Sequence, residues 1–207
     1  MKLTDSATMG NSLITIEEIR EKLLPYQRRI IPDERYPGYA RAAVMILLFQ
    51  KDKELSLLLT VRTNDVETHK GQISCPGGMR DESDSDFAAT ALRETEEELG
   101  IPEKSIEILG MTDDHPTPTK FIITPVVGYT ASVPKTVMNT SEVAEVFDVP
   151  LSVFIEKKNA RSEERLWQGN TYNVWYFDYK GYTIWGATAM LLVNFAEIIG
   201  GKKAGGQ

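Results

Sequence analysis

The stretch from Pro76 to Ile101, PGGMRDESDSDFAATALRETEEELGI, limits the possible folds more than any other part of the chain. Two adjacent glycines open a loop, a helical pattern follows, and Gly100 stands where a helix ends in the left-handed conformation that glycine adopts most easily. Ala88, Leu92, Thr95 and Leu99 recur at helical spacing and give the helix one face for a core. Glu94, Glu97 and Glu98 fall three and four residues apart on roughly the opposite side. Like charges at that spacing repel by a few tenths of a kcal/mol per pair in water, and by more in a dry site. The 207-residue chain has a net charge of −7, and Asp81 to Glu98 alone hold eight acidic residues against Arg93, so this segment carries the whole excess. Such a balance excludes a binder of nucleic acid that relies on a general basic field. A cluster of oxygen ligands that one guanidinium cannot neutralise instead suits a hard divalent cation, Mg²⁺ or Mn²⁺, shared with substrate phosphates.

Around this segment the chain reads as α/β. Thr15 to Glu18 has the form of a capping box, and Ile16, Ile19, Leu23 and Leu24 follow at helical spacing until Pro25, which predicts a short N-terminal helix. Two apolar runs, Ala42 to Phe49 and Leu55 to Val61, flank a charged turn and predict a strand pair. Further strands are expected over Gly71–Cys75, Ile106–Met111, Phe121–Tyr129, Val143–Val149, Tyr172–Asp178 and Tyr182–Trp185, with helices over Asp86–Leu99 and Ala187–Ile199. The order is mixed, not a regular strand and helix alternation, which favours an α/β sandwich over a doubly wound parallel sheet. No apolar run reaches the roughly 20 residues of a membrane span, one cysteine cannot make an internal disulfide, and the first residues lack the apolar core of a signal peptide. A cytoplasmic protein without a membrane partner is the expectation.

The spacing of Gly78, Arg93, Glu94, Glu97, Glu98, Gly100 and Ile101 resembles the signature of the Nudix hydrolases, G-x5-E-x7-R-E-U-x-E-E-x-G-U with U apolar. Two positions depart from it: Thr95 replaces an apolar residue, and Asp84 takes the place of the first glutamate with one extra residue before Arg93. The resemblance implies an α/β/α sandwich with a mixed sheet, here with an additional N-terminal helix. It divides the chain into an extension over 1–38, a Nudix domain over 39–200 and a flexible tail over 201–207. It implies metal-dependent hydrolysis of a nucleoside diphosphate linked to another group, with Glu94, Glu97 and Glu98 as metal-binding and water-activating carboxylates and the Gly78 carbonyl as a further ligand. Arg93 would hold the glutamates in place, and Glu142 is the candidate proton acceptor from outside the motif.

Upstream, LLTVRTNDVETHKGQISCPGG (Leu58 to Gly78) resembles the additional signature of the coenzyme A pyrophosphatase branch, LLTxR(S/A)x3Rx3Gx3FPGG. Leu58, Leu59, Thr60, Arg62, Gly71, Pro76, Gly77 and Gly78 agree, whereas Thr63, Glu67 and Cys75 depart, Glu67 standing at an expected Arg. The implied reaction cuts coenzyme A or acyl-CoA into 3′,5′-ADP and 4′-phosphopantetheine or its acyl form. Arg62, Lys70 and Arg80, with Gly77 and Gly78, are the expected substrate-binding residues, since a 3′-phosphate needs cations beyond the metal. His69 and His115 are too few and too far apart for a His-based metal site, and Cys75 and the tryptophans Trp175 and Trp185 read as packing residues. Glu67 keeps open hydrolysis of ADP-ribose, dinucleotides or nucleoside triphosphates. A non-catalytic nucleotide-binding module is the alternative of another class. The amphipathic N-terminal helix fits both a cap over the pocket and the interface of a homodimer.

Overall fold

The computed structural model describes residues 14–63, 71–167 and 169–201. Lys70, Glu67 and His69, and most of the N-terminal and C-terminal tails, lie outside the described residues. The long first strand, β1 (Ala40–Lys51), turns through Asp52 and Lys53 into β2 (Glu54–Arg62), the expected hairpin with β1 longer by two residues and β2 by one at each end. Asp52 takes the positive φ of that turn, which Asp tolerates better than bulky residues do. The pairing of β1 with β2 covers only Leu48–Lys51 against Glu54–Leu57, after which the strands part. Into the opening come β3 (Ile73–Ser74), paired with β2, and β4 (Gly77–Met79), paired with β1. The glycine loop is thus built into the split of the sheet.

The remaining strands of this eight-stranded sheet are β5 (Glu107–Met111), β6 (His115–Pro116), β7 (Phe121–Thr130) and β8 (Val143–Pro150). Only β1 and β7 run parallel; β5 and β6 pair antiparallel with β7, and β8 with β2, so the sheet is mixed as expected. A second antiparallel sheet comprises β9 (Ala160–Trp167), β10 (Asn170–Tyr179) and β11 (Tyr182–Trp185).

Alternate residues of β1 serve opposite faces, which explains its unbroken apolar run. Ala43, Met45, Leu47 and Phe49 pack with Ala91 and Leu99 of α2 (Phe87–Leu99). Ile46 and Leu48 join Leu57 and Leu59 in a larger core with α1 (Ile16–Leu23), α3 (Ser152–Glu156) and α4 (Gly186–Ile199). The molecule is therefore an α/β/α sandwich.

Residues 14–38 are packed into this body. Thr15 forms the reciprocal capping box with Glu18, and Ile19 and Leu23 are buried against α4. The fully buried Asp114 carboxylate accepts from Arg28 Nη1 at 2.6 Å, Ile31 N at 3.0 Å, Arg41 Nη1 at 3.1 Å and Thr124 Oγ1 at 2.8 Å. Asp113 accepts from Tyr26 Oη and Arg29 N, both at 2.8 Å.

Candidate active site

Asp86 caps α2 by accepting from Ala89 N at 2.8 Å, and Gly100 ends it with φ +64°. Ala91, Thr95 and Leu99 are buried beneath it, with Ala88 and Leu92 packed at the edge of the cluster. Thr95 stands at a position where the signature has an apolar residue, and it fits because its hydroxyl donates to the Ala91 carbonyl at 2.6 Å. The acidic side of the helix differs from an ordinary solvated face. Glu98 is only 2% exposed, whereas the Glu97 side chain is 57% exposed. Glu98 and the half-buried Glu94 turn toward the glycine loop: Gly77 N donates to Glu98 Oε2 at 3.3 Å, and a Cβ at Gly78 would overlap the Glu94 carboxylate. Gly77 is equally constrained, because its φ is +152° and a Cβ there would collide with the Ala43 and Val44 backbone. Both glycines are required by the close approach of β4 to its neighbours.

Arg93 is the hub of the loop. Its guanidinium donates to Asp84 through Nε (3.0 Å) and Nη2 (3.1 Å), to Glu94 (2.8 Å) and Glu97 (3.0 Å) through Nη1, and to the Met79 carbonyl at 3.1 Å. Asp84, at the departing position of the motif, is buried and binds Arg93 in the two-pronged manner that guanidinium geometry favours. That hydrogen bonding holds its carboxyl well below the usual carboxylate range. Sequence reasoning named Asp84 but not its partner, because a nine-residue separation across a loop has no periodic signature.

Glu142 comes to the site on the far side. Residues 136–142 run past the end of α2, with Val137 N donating to the Leu99 carbonyl at 2.7 Å and Asn139 N to that of Glu98 at 2.9 Å. Asn139 Nδ2 then holds Glu142 Oε1 at 3.3 Å, a positioning contact that the sequence did not single out. Burial raises the Glu98 carboxyl to about 8, opposed by Arg62 and Gly77 N and reinforced by the charges of Glu94 and Glu142. Glu94 is raised for the same first reason, with Arg93 opposing. Arg62 Nη1 lies 3.5 Å from Glu98 Oε1. Arg80 is exposed at the rim, its guanidinium 5.2 Å from the Phe87 ring centroid and its Nη2 donating to the Asp84 carbonyl at 3.2 Å.

The structure thus gathers Glu94, Glu97, Glu98, Arg93, Arg62, Gly77, Gly78 and Glu142 at one end of the sheet. The ligands on offer there are carboxylate and carbonyl oxygens, the set that a hard divalent ion prefers, and burial pushes both Glu94 and Glu98 toward their protonated forms, which leaves charge for a cation to meet. Among the described residues no three acidic, histidine or cysteine side chains already converge on a single point, so the fit lies in the donor chemistry and the unmet charge. Elsewhere Cys75 is buried with its thiol pushed up to about 12, unsuited to nucleophilic attack, and His115 is lowered to about 4 by burial. Trp175 packs beside Phe177, and Trp185 stacks on Tyr176 at 6.0 Å while remaining half exposed. Among the described residues no helix is long and apolar enough to cross a membrane.

Comparison with known proteins agrees with this arrangement. The sequence model of the NUDIX domain matches residues 39–167. The chain is 37% identical to Nudix hydrolase 15, mitochondrial, of Arabidopsis thaliana over 202 residues, covering 94% of this chain and 69% of that protein. It is 33% identical to Nudix hydrolase 22, chloroplastic, of the same plant, covering 87% and 66%. With the NudL Nudix hydrolase of Photorhabdus laumondii it shares 31% identity, covering 88% and 94%. The chain spans about two thirds of the length of the two plant relatives. A glycine loop folded onto a buried acidic helix, on a domain matched over most of its length, makes the chain a member of the Nudix hydrolase family, whose enzymes act on phosphorus-containing anhydrides.

Proposed function

We propose that the chain hydrolyses the diphosphate of coenzyme A or acyl-CoA, releasing 3′,5′-ADP and 4′-phosphopantetheine or its acyl form. The observation that carries the chemistry is the placement of the buried Glu98 and the half-buried Glu94 against the glycine loop with Glu142 facing them. Nudix hydrolases generally use divalent ions such as Mg²⁺ or Mn²⁺, and here Glu94, Glu97 and Glu98, with the Gly78 carbonyl, would hold one. When bound, such an ion neutralises diphosphate charge and makes water more acidic. The chain's own residues do the rest. Gly77 and Gly78 let the loop lie directly against the β1 backbone and the Glu94 carboxylate, and Arg93 keeps Glu94 and Glu97 oriented through its anchor on Asp84. Glu142, steadied by Asn139, accepts the proton of the attacking water as the new oxygen–phosphorus bond forms and the bridging one breaks. Arg80 supplies a cationic contact at the rim.

Support for the coenzyme A class comes from the upstream motif, whose Arg62 reaches the catalytic carboxylates. The same placement also suits ADP-ribose, a dinucleotide or a nucleoside triphosphate, because a cation beside Glu98 serves any diphosphate. A compartment that keeps thiols reduced, the cytosol included, suits a chain with one buried cysteine. The test is product analysis after incubation with Mg²⁺ or Mn²⁺ and equal amounts of coenzyme A, ADP-ribose, NADH and a nucleoside triphosphate. Preferential release of 3′,5′-ADP, abolished by a chelator, is the expected result. Preferential cleavage of another member would reject the coenzyme A assignment, and no cleavage of any would reject the catalytic one.

A further inference from the structure

The contact between Arg62 and Glu98 is the least satisfied of the site. Its 3.5 Å separation exceeds the roughly 2.7–2.9 Å of a charge-assisted hydrogen bond, and among the described residues Glu98's other oxygen has the 3.3 Å contact from Gly77 N alone. Arg62 Nε is buried without any hydrogen-bond partner, although the side chain retains 23% exposure. Arg93, one helix turn away from Glu98, contrasts with it in filling its donors at 2.8 to 3.1 Å. The Arg62 backbone is fixed, its N–H donating to the Gln72 carbonyl at 3.0 Å and its carbonyl accepting from Gly71 N at 3.1 Å. The under-used donors therefore belong to the side chain alone. A buried N–H without a partner is destabilising, a cost that packing alone does not explain and an anionic ligand would remove.

We infer that Arg62 is a stand-in counter-ion. Without metal it partly neutralises Glu98; when a divalent cation takes Glu98, the guanidinium turns its free N–H groups to an oxygen of the substrate diphosphate. This inference rests on the diphosphatase reading and adds two consequences to it. Metal and Arg62 compete for one carboxylate, so metal binding creates the anion site and precedes productive substrate binding. Arg62 also belongs to the diphosphate itself and not to the 3′-phosphate, so it does not distinguish coenzyme A from its 3′-dephospho form.

The test begins with Mn²⁺ titration, followed by electron paramagnetic resonance of the free ion, on wild type, Arg62→Ala and Arg62→Gln. Arg62→Gln keeps most of the side-chain stem and serves if the alanine variant folds poorly. Without nucleotide, both variants are expected to bind Mn²⁺ at least about fivefold more tightly than wild type. With ADP as the anion probe, Mn²⁺ should strengthen ADP binding much less in the variants than in wild type. Turnover adds a third readout, with kcat/KM falling by the same factor for coenzyme A and for its 3′-dephospho form. Unchanged or weaker Mn²⁺ binding in both variants, undiminished strengthening of ADP binding by Mn²⁺, or a loss confined to coenzyme A, would each overturn the stand-in role. Any of these with a wild type that binds Mn²⁺ and cleaves a diphosphate would leave the diphosphatase reading intact. A wild type that neither binds nor cleaves would remove both.

Discussion

The elevated carboxyl of Glu98 predicts a stability profile opposite to the usual acid denaturation. Its folded value is raised to about 8 from an ordinary 4.5, so the folded state holds a proton that the unfolded chain has released. The stability linked to that proton is complete below 4.5 and is lost as pH rises through about 8. His115 works in the other direction: burial lowers it from 6.5 to about 4, so its contribution is present above 6.5 and lost as pH falls toward 4. The two oppose each other below 6.5, and Cys75 enters only above its ordinary value of 9. Between 6.5 and 8 the profile is therefore governed by Glu98. At about 1.4 kcal/mol per pH unit, the metal-free protein should lose roughly 2 kcal/mol across that window. For a chain of this length that is a fall of about 4–8 °C in Tm. Thermal melts in a chelating buffer at pH 6.5, 7, 7.5 and 8 would measure it, with Glu98→Gln as the control that should remain nearly flat. Saturating Mg²⁺ or Mn²⁺ should abolish or reverse the wild-type slope, since the cation favours the ionised carboxylate. Parallel profiles for wild type and Glu98→Gln would refute the assignment of the slope to this residue.

Glu97→Gln and Glu98→Gln should each lower turnover by at least about two orders of magnitude with the fold retained, checked by steady-state kinetics and circular dichroism; wild-type turnover in both would end the carboxylate assignment. Gly78→Ala should lower kcat by about tenfold or more by displacing Glu94, while Gly38→Ala, whose added Cβ meets open space, should cost only the strain of its positive φ. Thr95→Val replaces a hydroxyl already satisfied within the helix and should alter Tm by no more than about 4 °C. Deleting residues 1–38 removes the buried Ile19 and Leu23 and leaves Asp114 without Arg28 and Ile31 N, so the remainder should fail to give a cooperative melt. Stripping one partner from a buried charge alone costs about 3–5 kcal/mol.

Elements whose residues report a buried face were legible from sequence: the β1–β2 hairpin, α2 between Asp86 and Gly100, the α1 capping box, and α4 were expected within a residue or two of their positions. The strand β9, Ala160–Trp167, was not, because its ARSEERLW sequence is exposed on both sides at the edge of the small sheet and carries no alternation. Helix α3 escaped for a different reason. Five residues give no period, although Phe154 is fully buried. At the site, the motif carried the identity of the glutamates but not their burial: helical geometry put Glu94, Glu97 and Glu98 on one side, and only the split between β1 and β2 shows that Glu94 and Glu98 face a loop while Glu97 stays in solvent. The ties of Asp84 to Arg93 and Asn139 to Glu142 depend on how loops cross, which spacing does not encode.

The charge layout explains why the acidic helix needs a ligand rather than merely tolerating one. Asp84, Glu94, Glu97, Glu98 and Glu142 face Arg93 and Arg62, leaving an excess of three negative charges when all are ionised. Arg93 is spent on Asp84, Glu94 and Glu97, so the deficit falls on Glu98, which has only the distant Arg62 and one backbone N–H. More guanidinium would quiet the site and close it, because a carboxylate matched by a fixed cation has nothing left for a mobile one. A shortage of fixed positive charge, concentrated where burial makes it most costly, instead draws a divalent cation to Glu98 and Glu94. The Asp84 anchor holds Arg93 on the loop side, where it orients Glu94 and Glu97 and leaves Glu98 to Arg62. Replacing Asp84 with Asn should therefore lower metal affinity as well as stability, even though Asp84 touches neither Glu98 nor Arg62. Mn²⁺ titration of Asp84→Asn beside a melt would show it, and full Mn²⁺ affinity in a folded variant would mean that the anchor serves the loop alone.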